Sequence, residues 1–238
     1  MSGLQASSQK CARGARKRPA SVPGTTVRLL TQTTKMPGPS WSLPAHRACP
    51  RANGTICNSC YAAKGCYRYS STQNAQDARF AWTVESMRSS AGRAQWITKI
   101  VDGIRQSDCV YFRVHDSGDM FNVAYAECWY AVCQAMPGIR FWIPTRSWQQ
   151  PKSALPVLDP LLNALRKLAR LPNVTVRPSA LDFGDFAPTI AGLHAGSAAA
   201  MPDRLRAHQC PAPEQGGNCG DCRICWDEKD TPVSYCRH

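Results

Sequence analysis

No carboxylate occurs in the first 76 residues: Asp77 is the first acid, and eleven of the chain's 29 Lys and Arg come before it. From Asp77 onward 18 basic residues face 16 acidic ones, so almost all of the net charge of +13 belongs to the N-terminal third. A segment without acids has no internal partners for its cations. It favours phosphate-bearing partners through counterion release, or an anionic cofactor, and where it is also poor in apolar residues it makes a solvated arm. Residues 1–26, with Lys10, Arg13, Arg16, Lys17 and Arg18 among Ser, Ala, Gly and Pro, have that composition. They are expected to form an arm whose candidate partner is nucleic acid.

Long apolar runs are missing as well. No stretch of about 18 apolar residues is present, so no membrane span is expected, and no hydrophobic signal segment stands at the N-terminus. The expected compartment is therefore reducing, the cytoplasm, and there the 13 cysteines call for an explanation other than disulfides. Stability does not supply one, because 238 residues suffice to bury a core without covalent staples. Metal ligation does. Nine of the cysteines fall into two groups, 49, 57, 60 and 66 near the N-terminus and 210, 219, 222, 225 and 236 near the C-terminus, with the two-residue spacers that let one tight turn present two thiolates.

The first group reads Cys49-x7-Cys57-x2-Cys60. Three thiolates leave one coordination position open, which separates a metal site that does chemistry from one that only holds a fold. Cys66 lies close enough to close the site as a fourth ligand, and that alternative, a four-thiolate structural zinc knot, stays open on spacing alone. The second group reads Cys210-x8-Cys219-x2-Cys222-x2-Cys225, with Cys236 beyond. Successive two-residue spacers put thiolates at three corners of a cube, the ferredoxin-like pattern for a [4Fe-4S] cluster, whereas zinc prefers two separated pairs. Iron-sulfur is thus expected here over zinc, with Cys210 as fourth ligand and Cys236 in reserve. Cys109, Cys128 and Cys133 occupy apolar positions and are expected as core thiols; Cys11, in the arm, is expected to be free.

Between the two groups the chain alternates. Val27–Thr33 reads as a first strand, and helical periodicity follows Cys66, with a break at 89–92. Cys109–Val114, Ile139–Ile143 and Asn173–Arg177 read as strands; Asn122 and Asp159-Pro160 read as starts of the helices between them, the first ending at Pro137-Gly138. Strand, helix, strand with short connections means parallel pairing through right-handed crossovers. The expected fold is α/β, a parallel sheet of βα units forming a partial (βα) barrel over residues 27–200, with the cysteine loop 49–66 inside it and a cysteine-rich, cluster-binding extension over 201–238. In such folds, binding and reacting groups collect past the C-terminal ends of the strands. That rule selects His115-Asp-Ser-Gly-Asp119, Pro144-Thr-Arg-Ser-Trp148 and Pro178-Ser-Ala-Leu-Asp182, with Asp119 and His115 as candidate catalytic groups. Arg113 and Arg177, inside strands, need acidic partners, for which Asp116, Asp119 and Asp182 are nearest.

Taken together, Ser42-Leu-Pro-Ala45, Cys49-Pro, Cys57-x2-Cys60-Tyr-Ala, Lys64-Gly65, Arg113-Val-His-Asp-Ser-Gly-Asp119, Thr145-Arg-Ser147 and Cys219-x2-Cys222-x2-Cys225 resemble bacteriophage and plasmid proteins of the gene product 88 type, over about Lys35 to Cys225. The likeness implies a mobile-element origin and a bacterial host. The arm, Cys66 and the tail after Trp226 lie outside the matching pattern. More distantly, the chain resembles radical SAM enzymes, partial barrels in which a three-cysteine loop after the first strand binds a [4Fe-4S] cluster whose open iron chelates S-adenosylmethionine. Its first spacer is seven residues where that class has three. That likeness implies roles in holding the cofactor for Tyr61, next to the last ligand, and Thr145, with Gly118 and Asp119 at its amino group and Ser179 or Asp182 at its ribose. It also implies an electron donor and an unnamed substrate. The contrasting expectation is a non-catalytic protein, stabilised by iron-sulfur or zinc, that binds nucleic acid through its basic N-terminal region.

Overall fold

The computed structural model of the chain describes residues 19–149, 159–200 and 206–236; the arm up to residue 18 and residues 201–205 of the C-terminal extension lie outside these. Four strands, β1 (Ser40–Ser42), β2 (Tyr111–Ser117), β3 (Arg140–Thr145) and β4 (Val174–Pro178), form one sheet in the order β1-β2-β3-β4. Every pairing in it is parallel. Spatial order equal to chain order means that each connection steps one strand in the same direction, which right-handed βα crossovers produce. Short helix α1 (Gly54–Asn58) and long helices α2 (Ser70–Met87) and α3 (Ser90–Gln106) connect β1 to β2; α4 (Val123–Gln134) connects β2 to β3 and α5 (Pro160–Ala169) connects β3 to β4.

The helix starts follow from local chemistry. Asn122 accepts from the Tyr125 N–H, Ser89 from Gly92 and Asp159 from Leu161 and Leu162, with Pro160 at the first helical position. One face of the sheet packs on these helices. Trp41, Trp96 and Trp129 are fully buried there, with Trp96 edge-on to Trp41 at 5.9 Å and to Trp129 at 5.3 Å, contacts that add about 0.5–1.5 kcal/mol each to their area burial. The Trp96 indole N–H would be stranded in this core, and it donates to Thr83 Oγ1 at 3.1 Å.

The cysteine-rich extension covers the opposite face. A second parallel sheet, β5 (Ser197–Ala199), β6 (His208–Gln209) and β7 (Val233–Tyr235), runs in the order β5-β7-β6, and helix α6 (Ile224–Asp227) precedes β7. A parallel bridge from Ser179 to Ser197 joins it to the end of β4. Trp226 of α6 is the plug: its indole donates to Phe112 O at 3.1 Å, its carbonyl accepts from Thr175 Oγ1 at 2.6 Å, and its ring meets Trp142 at 5.1 Å.

Three expectations need correction. Val27–Thr33 is not a strand; it makes only the isolated bridges Ser21 to Arg28 and Thr31 to Ser40, and the edge strand lies later, in the Gly/Pro-broken segment. Gly38 explains the shift: a Cβ there would stand 1.9 Å from Tyr111 O, so only glycine lets this backbone reach β2. The strand starting near Cys109 also runs past Val114 and takes in His115, Asp116 and Ser117, which places part of the expected strand-end loop inside the sheet. Residues 19–26, grouped with the arm on composition, pack against the body, with Val22 in the core. No helix among the described residues is long and apolar enough to cross a membrane.

Candidate functional site

The cysteine loop leaves β1 at the C-terminal end of the sheet and is tied to the ends of all three following strands. At β2, Leu43 N donates to Ser117 O at 2.9 Å and Asp119 N to Ala48 O at 3.1 Å. At β3, Arg51 donates to Ser147 O at 2.8 Å and forms a forked ion pair with Asp159, its second arm at 2.9 Å from Oδ1. At β4, Ile56 N donates to Leu181 O at 3.1 Å, and Asp182, held below the usual carboxylate range by this bond, accepts from Thr55 N at 2.7 Å. Gly54 has φ +81° and sits so near Leu181 that a Cβ would meet its carbonyl at 2.4 Å. The loop that carries Cys57 is thus pressed onto the β4 end.

This stitching brings Cys49, Cys57 and Cys60 together. All three are partly buried, while Cys66 is exposed on the next turn. Burial pushes the Cys49 thiol up to about 12, and the Asp119 carboxylate, Cys60 and Cys57 push the same way. Burial raises Cys57 too, against the Arg146 guanidinium. Three thiols, one carboxylate and one guanidinium therefore share one environment at the mouth of the sheet. A buried neutral thiol is a poor nucleophile, so this arrangement gains its use from a cation that holds the thiolate form.

The β2 end supplies the floor. Asp119, buried, accepts from Met120 N at 2.7 Å, Thr145 Oγ1 at 2.6 Å and Arg146 N at 2.8 Å. These bonds oppose the rise that its burial imposes, and they leave one of about four acceptor positions free. Gly118, at φ +88°, lies where a Cβ would meet Leu43 Cβ at 2.7 Å. Thr145 accepts from Ser147 N at 2.9 Å, and Ser179 O accepts from the Trp148 indole at 3.0 Å while its hydroxyl meets Ser197 Oγ at 3.2 Å. Asp119 and Gly118 thus adjoin the segment that carries the three cysteines directly, Thr145 through Asp119, and Asp182 through Thr55.

His115 is set differently. It takes φ +70° inside β2, a left-handed conformation that costs of order 1–3 kcal/mol for a residue with a side chain. Its Nε2 lies 2.8 Å from the Tyr125 hydroxyl in the helical layer, and burial holds its pKa down at about 3, so the ring is neutral. The neighbouring Asp116 points to a tyrosine pair: Tyr67 donates to its Oδ2 at 3.1 Å, and Tyr61 donates to its backbone carbonyl while accepting from Arg113 at 3.1 Å. Three buried polar atoms here, His115 Nδ1, Asp116 Oδ1 and Ser117 Oγ, have no hydrogen-bond partner among the described residues. Buried polar groups left unpaired cost about 1–3 kcal/mol each.

At the second group, the Cys210 N–H donates to Ser234 O at 2.9 Å, Cys225 Sγ lies 3.4 Å from the Tyr235 hydroxyl, and Cys222 Sγ lies 3.5 Å from His208 Nε2. Burial raises Cys225 to about 11, with Cys210 and Cys219 adding to it; Cys219 in turn feels Lys35, Cys210, Cys222 and Arg113. Cys236 is exposed past the end of β7. Arg177 is the telling neighbour. It is fully buried and donates to five carbonyls, those of Cys225, Ala195, Thr231, Ile224 and Glu228. Among the described residues it forms no ion pair with a carboxylate, contrary to the acidic partner its sequence position calls for. Arg113 likewise has no ion pair; its guanidinium covers Trp142 at 4.5 Å. Uncompensated buried cations are costly; Tyr235, Cys225 and Glu228 bear electrostatically on Arg177 and Tyr61, Asp116, Tyr67 and Tyr235 on Arg113, so of the thiols Cys225 is the one placed to carry charge beside Arg177.

Several of these residues are not apparent in the sequence. Arg51, Tyr67, Arg146 and His208 reach their partners across 14 to 108 positions. The one hint was the acid-free stretch, since a buried Arg51 within it had to find its carboxylate far along the chain. Among the described residues no three His, Cys, Asp or Glu side chains converge as the ligands of a single metal ion do.

Fold and site together define a cysteine-rich α/β protein, with one thiol group at the C-terminal end of a parallel sheet and a second against its face. The chain belongs to the family described as Gene product 88, whose model matches residues 7–228. The match takes in Cys66 and more than half of the basic arm, which had looked foreign to the pattern, and stops just past Trp226. Comparison with curated proteins and with solved structures gives no match, radical SAM enzymes included.

Proposed function

We propose that this is an iron-sulfur enzyme of phage-like origin, in which Cys49, Cys57 and Cys60 hold a [4Fe-4S] cluster with one open iron that binds S-adenosylmethionine, and Cys210, Cys219, Cys222 and Cys225 hold an auxiliary cluster. The observation that carries the reading is topological. A three-thiol loop follows the first of four sequentially ordered parallel strands and is tied to the ends of the other three, which supports a site at the strand ends as in a (βα) architecture. The Cys219-x2-Cys222-x2-Cys225 spacing suits a cluster better than a single zinc ion, which prefers two separated pairs. Fully buried Arg177 and half-buried Arg113 suit an anionic thiolate centre beside them.

When held by Cys49, Cys57 and Cys60, such a cluster would supply the one electron, drawn from an external low-potential donor, for reductive cleavage of the sulfonium. The chain's own residues position the cofactor. Asp119, with one lone pair free and its carboxylate fixed by Thr145, would accept from the cofactor's amino group beside Gly118, Ser179 or Asp182 would serve its ribose, and Tyr61 would wall the cluster loop. The neutral His115 stays in the second layer, behind Asp116. Anaerobically purified, reduced protein incubated with S-adenosylmethionine is expected to release methionine and 5′-deoxyadenosine in equal amounts, and Asp119→Asn to stop this. Protein that carries two zinc ions and no iron sinks the reading.

A further inference from the structure

From Tyr61 to Tyr69 the chain reads Tyr-Ala-Ala-Lys-Gly-Cys-Tyr-Arg-Tyr, two 3-10 turns directly after the last thiol of the first group. Two of its three rings are turned outward: Tyr61 is 46% exposed and Tyr69 66%, two of the four exposed large apolar side chains among the described residues. The Tyr61 ring is fixed rather than loose, because its hydroxyl is held by Asp116 O and Arg113 and its edge meets Tyr67 at 5.8 Å. Lys64 and Arg68 are exposed between the rings and form no ion pair among the described residues. The nearest acid in sequence, Asp77, is already paired with Arg47 at 2.6 Å. Pre-set aromatic faces interleaved with unpaired cations, in a stretch without a carboxylate, are what a single-stranded nucleic acid requires: bases stack on the rings and phosphates meet the cations. A duplex keeps its bases stacked on one another and offers the rings nothing.

We infer that residues 61–69 form a docking surface for single-stranded nucleic acid, which leads the strand to the mouth of the three-cysteine site. Calling that strand the substrate rests on the chemistry proposed above; the binding does not. The surface is distinct from the arm before residue 19, and the Tyr69 side chain, 66% exposed and outside the Cys49–Cys60 loop, reports on it.

Fluorescence anisotropy of the full-length protein with fluorescein-labelled dT15 and rU15, without S-adenosylmethionine, tests the inference. Tyr69→Ala is expected to weaken binding roughly tenfold and Tyr69→Phe to leave it unchanged, because stacking needs the ring and not the hydroxyl. Lys64→Ala with Arg68→Ala should lower the slope of log K against log salt by about 1.4. Comparison of the two oligomers tells whether the surface distinguishes DNA from RNA. Affinities of the three variants equal to wild type would mean that the arm binds alone and would overturn the inference, as would equal affinity for a duplex of the same length. Binding to phosphatidylserine vesicles in place of either oligomer would assign the surface to a membrane instead. Iron content is measured on the same preparations. Zinc-loaded protein with Tyr69-dependent binding ends the proposed chemistry and keeps the docking surface; iron-loaded protein with Tyr69-independent binding does the reverse.

Discussion

Cys60 and Cys66 are separated by one 3-10 turn, yet their surroundings differ: Cys60 is partly buried beside Cys49 and Cys57, and Cys66 is exposed. If the first centre takes three thiolates, Cys66→Ser should keep all the iron of that site, and Cys60→Ser should lose most of it. Iron loss as severe in Cys66→Ser as in Cys60→Ser makes the site four-thiolate, with no iron free to chelate a cofactor. A second residue-scale test concerns His194. Its Nδ1 accepts from Val176 N at 3.0 Å, and burial, then Lys229 and Arg177, hold its pKa at about 4, with Asp230 opposing them. A folded pKa below the unfolded value means that the unfolded chain binds more protons, so stability is lost as pH falls from about 6.5 through about 4. For a half-exposed ring this amounts to about 1–2 kcal/mol after solvent screening. Denaturant unfolding at pH 7 and pH 5 should therefore show a smaller loss in His194→Asn than in wild type, since everything else that titrates is shared; equal losses refute the assignment.

At the scale of elements, what was legible in the sequence was what depends on neighbours in the chain. Asn122 and Asp159-Pro160 announced their helices because a cap needs only its next three residues, and the βα alternation announced a parallel sheet. β1 was hidden because its existence depends on a close approach between Gly38 and Tyr111 O that no local pattern encodes. The grouping of the three thiols with Asp119 was legible from strand-end logic, but the devices that fix it were not. Arg51 is the clearest case. It sits two residues past Cys49, its side chain 16% exposed and that of Asp159 1%, and the same carboxylate caps α5, so one pair fixes both the cysteine loop and a helix start. Removing one member of a buried pair leaves the other charged and alone. Arg51→Ala should cost about 3 kcal/mol in urea unfolding and lower iron occupancy at the first site only; Arg51→Lys, which keeps the charge but loses the fork, should cost less. Unchanged stability in Arg51→Ala would show that the loop is held by its backbone bonds alone.

For the whole molecule the central question is how a chain of net charge +13 tolerates cations in its interior. Arg177 is fully buried between the sheet and the cysteine-rich extension, where it donates to five carbonyls and, among the described residues, forms no ion pair with a carboxylate. Carbonyl dipoles satisfy its donors without neutralising its charge. Thiolates held by a metal centre at Cys210, Cys219, Cys222 and Cys225 would neutralise it, so binding of the metal and docking of the extension on the sheet become one equilibrium. The extension also carries Trp226, which closes the face of the sheet through Phe112 and Thr175, and its loosening would expose that face. As isolated without oxygen, the protein is expected to hold about eight iron and eight sulfide per chain, the content of two four-iron clusters. Stripping that metal with a chelator should lower Tm by several degrees, and limited proteolysis of the stripped protein should cut first within 206–236 while the β1-to-β4 body survives. Cys222→Ser should reproduce both effects without chelator, and Cys66→Ser neither. If the stripped protein melts where the loaded one does and is cut nowhere new, the charge beside Arg177 is supplied by something other than metal-bound thiolates, and the second centre has no place in this fold.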